Sequence, residues 1–237
     1  MKKIHSKIIP AKRIETGIPG LDSLMGGGFL PGSVNLISGE TGTGKTILCS
    51  QFLWHGLQKG ETGIFVSLEE EPEDIKEDVS QFGWDFDAFI KKGMFNIFYH
   101  DPSQASNITS KIINEIGSLN AKRVVIDSTA TIGLAIENPS QIRKRLLSIV
   151  NTLKKSGCTS IVTSEINEGK KGLSRFGVEE FVVDGVIILS YTSIAQEGFG
   201  SIEVRKMRRT AHQHGMYPTK IGKDGLQVGK ESIMLMK

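Results

Sequence analysis

The sequence has few cysteines, little net charge and no long apolar run. Its two cysteines, Cys49 and Cys158, form neither a metal-ligand spacing nor a disulfide framework. A reduced, cytoplasmic setting is the default expectation for such a chain. No apolar stretch approaches the roughly 18–20 residues of a membrane span. Five Lys or Arg precede the first acid, Glu15, and in place of a long apolar stretch only Ile8-Ile9 precede Pro10, so a secretory signal is not expected. The 29 basic residues against 26 acidic ones leave a formal charge of +3, too small to imply a nucleic-acid ligand by composition. Internal repeats, low-complexity linkers and a second domain are also missing. The 237 residues are therefore read as one domain, with a basic N-terminal arm over residues 1–13. A chain of this length buries roughly 70–75% of its unfolded surface, so it needs no staples.

Glycine is what the sequence has in excess: 27 residues, about 11%, against an average near 7%. Gly17, Gly20 and Gly26-Gly27-Gly28 break any long helix before residue 31. Beyond them, short apolar runs alternate with helical periodicity. Strands are predicted at Ser33–Ser38, Gly63–Leu68, Phe95–Tyr99, Arg123–Asp127, Thr159–Thr163 and Val182–Leu189. Helices are predicted at Lys45–Gln58, Ser106–Gly117 and Ser140–Ser156, the last capped by Asn138 or Ser140 and ended by Gly157. That alternation implies an α/β fold with a mainly parallel sheet between helices. After about residue 180 the runs Ser201–Met207, Gly215–Ile221 and Leu226–Val228 are close together, which predicts antiparallel strands at one edge.

Gly39-Glu40-Thr41-Gly42-Thr43-Gly44-Lys45-Thr46 matches G-x-x-x-x-G-K-[ST] between a predicted strand and a predicted helix. Glycines let backbone N–H groups converge on a phosphate, and the helix N-terminus adds partial positive charge. Lys45 is placed to reach the β- and γ-phosphates, Thr46 to ligate Mg²⁺, and Ile47 to continue the nucleotide contact. Asp127 ends an apolar strand. Ligands of a parallel sheet collect at the carboxyl ends of strands, so Asp127 is the second Mg²⁺ candidate.

Glu69 and Glu70 follow the strand GIFVSL and are candidates to orient or deprotonate an attacking water. Residues 69–78 hold seven acids and one lysine, so the competing reading is a solvated helix start with Pro72 in its first turn. Glu71, Glu73 and Asp74 are assigned to that surface. Which of Glu69 and Glu70 is the base stays open.

Taken in order, Thr16-Gly17-Ile18-Pro19-Gly20-Leu21-Asp22, Gly27-Gly28, GETGTGKT, FVSLEEEP, VVIDS, GVEEFVVDGVIIL, and Lys206-Met207-Arg208 followed by His212 and Tyr217-Pro218 resemble the KaiC-like ATPases of the RecA superfamily. The resemblance runs from about residue 14 to 229. It implies a RecA-type core that binds ATP between subunits, usually in a hexameric ring. It makes Glu69 and Glu70 the paired catalytic glutamates. Lys206 and Arg208 become the cations that reach a neighbour's γ-phosphate, as an arginine finger does. It adds His212 to the nucleotide-binding residues, and Ser164 with Glu165 as sensors of the γ-phosphate. One such domain is read here, where the clock protein KaiC has two. Glu180-Phe181 stand where the clock protein's autokinase half has a Ser-Thr pair, so autophosphorylation is not expected to follow. Protein partners serving signalling or regulation are implied.

Two rival readings remain. One is a RecA-like DNA-processing ATPase, although in residues 167–181 Lys170, Lys171 and Arg175 are balanced by Glu168, Glu179 and Glu180. The other is a nucleotide-gated scaffold with negligible turnover. Nucleic acid is thus a ligand not favoured, and a membrane is not expected. His212 and His214, read without the resemblance, are two surface histidines.

Overall fold

Apolar runs with no polar interruption become the central strands. In the computed structural model, which describes residues 12–101, 108–133, 136, 138–166, 172–191 and 200–233, nine strands form one sheet. They are β1 (Val34–Gly39), β2 (Gly63–Ser67), β3 (Phe95–Tyr99), β4 (Arg123–Asp127), β5 (Thr159–Glu165), β6 (Gly185–Tyr191), β7 (Gly200–Met207), β8 (Met216–Gly222) and β9 (Gly225–Val228). Their order is β3-β2-β4-β5-β1-β6-β7-β8-β9. The first six in that order are parallel, and β7, β8 and β9 add antiparallel pairings at the edge, as expected from the sequence. β1, β2 and β4 are buried at every position, which a parallel strand covered on both faces requires.

Helices α1 (Leu21–Leu24), α2 (Lys45–Gln58), α3 (Pro72–Ser80), α4 (Phe86–Lys91), α5 (Ile108–Leu119), α6 (Pro139–Ser156) and α7 (Glu179–Val182), with a short 3-10 turn at Thr131–Gly133, complete the described elements. Successive strand residues point to opposite faces, so each strand feeds two cores. Ile37, Phe65, Val125 and Ile161 meet Leu48, Phe52 and Leu53 of α2 and Ile75 and Val79 of α3. Leu36, Ile64, Val124 and Val162 meet Ile112 and Ile116 of α5 and Leu146, Ile149 and Leu153 of α6. Full burial of one such side chain contributes about 1.5–3 kcal/mol. Cys49 belongs to the first of these cores.

Helix ends follow the predicted chemistry with small shifts. The Asn138 side chain accepts from Ser140 N–H, so Asn138 is the cap of α6, and Gly157 closes it at φ 77°. Pro72 occupies the first turn of α3. The sixth strand starts at Gly185 rather than Val182. Residues 179–182 instead turn as α7, and the Asp184 carboxylate accepts from Val34 N–H at 3.1 Å. An apolar run such as VVDGVIIL reads equally as a helix end or a strand, and contacts with distant segments separate the two, since Asp184 N–H also donates to the Val34 carbonyl at 2.8 Å. The glycine-rich segment before residue 31, where no long helix is expected, holds the single turn α1 and a bridge between Ile14 and Phe29. Residues 1–11 of the basic arm, Ser106 and Asn107, and residues 167–171 with Glu168, Lys170 and Lys171 lie outside the described residues.

Arg123 opens β4 with its guanidinium fully buried. It donates to Glu61 at 2.6 Å and to the carbonyls of Glu15 and Phe52, and lies 4.5 Å from the Phe52 ring centroid. It thereby fastens α2 to the end of the sheet opposite β4's carboxyl terminus. Gly56 of α2 has no side chain because a Cβ there would strike Arg123. No described helix is long and apolar enough to cross a membrane.

Candidate functional site

The loop 39–46 leaves the carboxyl end of β1 and enters α2. Gly42 and Gly44 adopt φ 79° and 90°, backbone that favours glycine, and so turn the loop tightly into the helix N-terminus. Lys45 Nζ donates to the carbonyls of Gly39 and Glu40 at 3.0 and 2.9 Å, holding the ammonium at the loop's mouth. Thr43 Oγ1 closes the turn on the Glu40 carbonyl at 2.8 Å.

Parallel pairing brings the ends of β2, β4 and β5 beside this loop. Thr46 Oγ1 donates to Asp127 Oδ2 at 2.7 Å, and Thr163 Oγ1 donates to Asp127 Oδ1 at 2.5 Å. Asp127 is 7% exposed, so its two oxygens are fixed by two hydroxyls from α2 and β5. A cavity of about 370 Å³ opens over them. It is lined by Thr41, Gly42, Gly44, Lys45, Thr46, Ile47, Glu69, Glu70, Asp78, Val79, Asp127 and Glu165. Its size suits a small-molecule site.

The lining is acidic. Glu69, Glu70, Asp78, Asp127 and Glu165 face one lysine, Lys45. Burial pushes the Glu69 carboxyl above the usual range. The 2.7 Å hydrogen bond from Ser128 Oγ pulls it back, Asp127 and Glu165 push it up again, and Lys45 opposes them. Glu70 is raised by burial first, then by Asp127, Asp78 and Glu69. Both glutamates still open into the cleft. Each is thus a carboxyl whose proton affinity is increased by its setting, which suits a base.

The donor set fits a hard divalent cation. Thr46 and Asp127 offer a hydroxyl and a carboxylate in contact. Among the described residues no group of three or more His, Cys, Asp or Glu could hold a metal alone. Mg²⁺ suits such a site, because it keeps waters and shares itself between one or two protein oxygens and phosphates.

Several predicted residues are not brought here. Thr163 faces Asp127, so alternation turns its neighbour Ser164 to the other side of β5. Ser164 is fully buried, donates to Glu179 at 2.9 Å, and does not line the cleft. Of the predicted sensor pair only Glu165 does, and Thr41 lies 3.5 Å from its carboxylate. Lys206 and Arg208 are also distant. Gly39 is level with Leu189, whereas Lys206 is level with Val186 near the start of the antiparallel β6–β7 pair. The step along the strand is roughly 10 Å before the loop is added. Lys206 Nζ donates to the carbonyls of Glu180 and Val183, both at 2.8 Å, and Arg208 approaches Asp184 at 3.3 Å. His212 is at that same far end, where the next residue's N–H donates to Leu24. Its ring is 4.8 Å from that of His214, and both of its nitrogens are buried with no hydrogen-bond partner among the described residues. The surface reading holds for His214 and not for His212.

Asp78 was hidden in the acidic run. Its neighbours supply the missing signal: Ile75 and Val79 are the buried positions of α3, so the face they define carries Asp78 toward the cleft.

A UPF0273 protein of Pyrococcus horikoshii is 38% identical over 240 residues, covering 94% of this chain and 96% of that protein. A circadian clock oscillator protein KaiC of Parathermosynechococcus lividus is 36% identical over 231 residues, which are 93% of this chain and 42% of that protein. The crystal structure of a KaiC-like protein from Pyrococcus horikoshii is 40% identical, with a TM-score of 0.85, and covers 93% of this chain and 100% of that one. The family description "ATPase: KaiC" matches residues 14–233. The match over residues 14–233, the identity to these relatives and the shared architecture show that the chain belongs to the KaiC-like ATPases of RecA-type fold.

Proposed function

We propose that the chain is a Mg²⁺-dependent ATPase whose clefts are completed by neighbouring copies in a hexameric ring, and whose output passes through protein partners. The observation that carries this reading is the convergence of Lys45, Thr46, Asp127 and two glutamates of raised proton affinity on one cleft. Five carboxylates would repel a triphosphate, so its binding calls for counter-charge. Loop amides, the α2 N-terminus and Lys45 supply part of it. Thr46 and Asp127 would hold Mg²⁺ together with the nucleotide, and the ion would supply the rest by neutralising phosphate charge. Glu69 or Glu70 orients the water and takes its proton, and Ser128 fixes Glu69 for that task.

Lys206 and Arg208 serve the cleft of an adjacent copy. Their distance from their own loop supports this, because among the described residues that line the cleft Lys45 is the one cation. ATP turnover measured alongside molar mass over a range of protein concentration tests the reading. Turnover is expected to rise with assembly, to vanish on chelation of Mg²⁺, and to ignore single-stranded DNA. Flat specific activity through a fully monomeric range would remove the shared cleft. Stimulation by single-stranded DNA would favour a DNA-processing role.

A further inference from the structure

Glu179 is a buried carboxylate that the chemistry above leaves unused. It is 2% exposed. It accepts from Ser164 Oγ at 2.9 Å, Ser174 Oγ at 2.7 Å, Val178 N–H at 3.1 Å and Phe176 N–H at 3.4 Å. Four donors around one carboxylate offset the cost of burying it, and they close residues 174–179 against β5.

Its position connects two places that are far apart. On one side Ser164 adjoins Glu165, which lines the cleft and pairs with Arg175 at 3.6 Å. On the other side Glu179 begins α7, and the residues that follow it hold both distant cations. The carbonyls of Glu180 and Val183 accept from Lys206. The Phe181 carbonyl accepts from Arg208 at 3.4 Å, and Asp184 accepts from it at 3.3 Å. Asp184 is in turn fixed by Val34 N–H at 3.1 Å and Lys154 at 2.9 Å. Residues 180–184 are therefore a cradle for Lys206 and Arg208, and Glu179 is where that cradle is fastened to β5.

We propose that Glu179 is a positioning residue that sets where a protomer presents Lys206 and Arg208 to its neighbour's cleft. The proposal rests on the shared-cleft reading. It places the effect of Glu179 in the next protomer's cleft rather than in its own. A misplacement of about 1 Å in a group that meets the transition state costs up to roughly 100-fold in rate.

Two protomers of complementary defect test this. A donor carries Lys45→Ala, which disables its own cleft. An acceptor carries Lys206→Ala/Arg208→Ala, which removes its cations. Mixed, they turn over ATP only where an acceptor's cleft meets a donor's cations. Glu179→Gln in the donor is expected to lower kcat of the mixture roughly 10- to 100-fold with KM for ATP unchanged. The same substitution in the acceptor is expected to leave kcat within about twofold. Equal loss from both placements, or no loss from either, would overturn the proposal. If donor Glu179→Gln does not assemble, donor Ser164→Ala/Ser174→Ala removes two of the donors to Glu179 and must show the same asymmetry. An inactive parent mixture, with active wild type, would overturn the shared-cleft reading and this proposal with it. That failure is distinct because it involves no change at Glu179.

Discussion

The Ser128 hydroxyl donates to Glu69 Oε1 at 2.7 Å, tying the residue beyond β4 to the residue that begins the acidic run after β2. This bond opposes the upward push of burial on the Glu69 carboxyl. Removing it with Ser128→Ala should raise that proton affinity further. If Glu69 is the base, the acid limb of the kcat profile moves to higher pH, because more of the enzyme is protonated at a given pH. If Glu70 is the base, the limb stays where it is. A pH–rate profile of the two proteins therefore assigns the base.

The same raised carboxyls carry a stability consequence. A glutamate whose folded-state proton affinity exceeds its unfolded one binds more protons when folded. Stability then falls as pH rises from the ordinary glutamate range through the raised one. Glu69→Gln/Glu70→Gln removes this loss. The variant should be more stable than wild type at pH 7, with the difference shrinking as pH drops below the ordinary glutamate range. Denaturant melts at several pH values measure it.

Lys45→Ala and Asp127→Asn should each lower ATP turnover by about 100-fold or more, since each removes charge from a site where charge moves in the transition state. Asp127→Asn keeps a hydrogen-bond acceptor for Thr46, so part of its loss should be recovered at high Mg²⁺, whereas that of Lys45→Ala should not. Turnover titrated with Mg²⁺ distinguishes the two variants.

Gly56→Ala should destabilise the fold without touching the cleft. Its Cβ meets the Arg123 side chain, which is held by Glu61 and two carbonyls and lies on Phe52. Overpacking of this kind costs about 1–3 kcal/mol. The midpoint of chemical denaturation should fall, while the KM for ATP of the folded protein stays the same.

Much of the fold was legible because its signals are local. The G-x-x-x-x-G-K-[ST] spacing, the apolar run ending at Asp127 and the Pro72 helix start each specify a backbone state within a few residues. The start of β6 was not legible, because it depends on Asp184 meeting Val34, which is 150 residues away. The side of β5 on which Ser164 lies was equally hidden, since a period of two has no phase until a partner fixes one face.

By itself, then, the sequence determined that this protein has a phosphate loop between a strand and a helix, a mainly parallel sheet, and carboxylates at strand ends. These follow from glycine content, periodicity and spacing, all properties of neighbouring residues. Only the tertiary structure decided which carboxyls share one cleft, that Asp78 joins them, and that Ser164 turns instead to Glu179. It also decided that Lys206 and Arg208 are held by residues 180–184, away from their own loop. Those facts depend on strand order and register, which bring distant segments side by side and which no local pattern encodes.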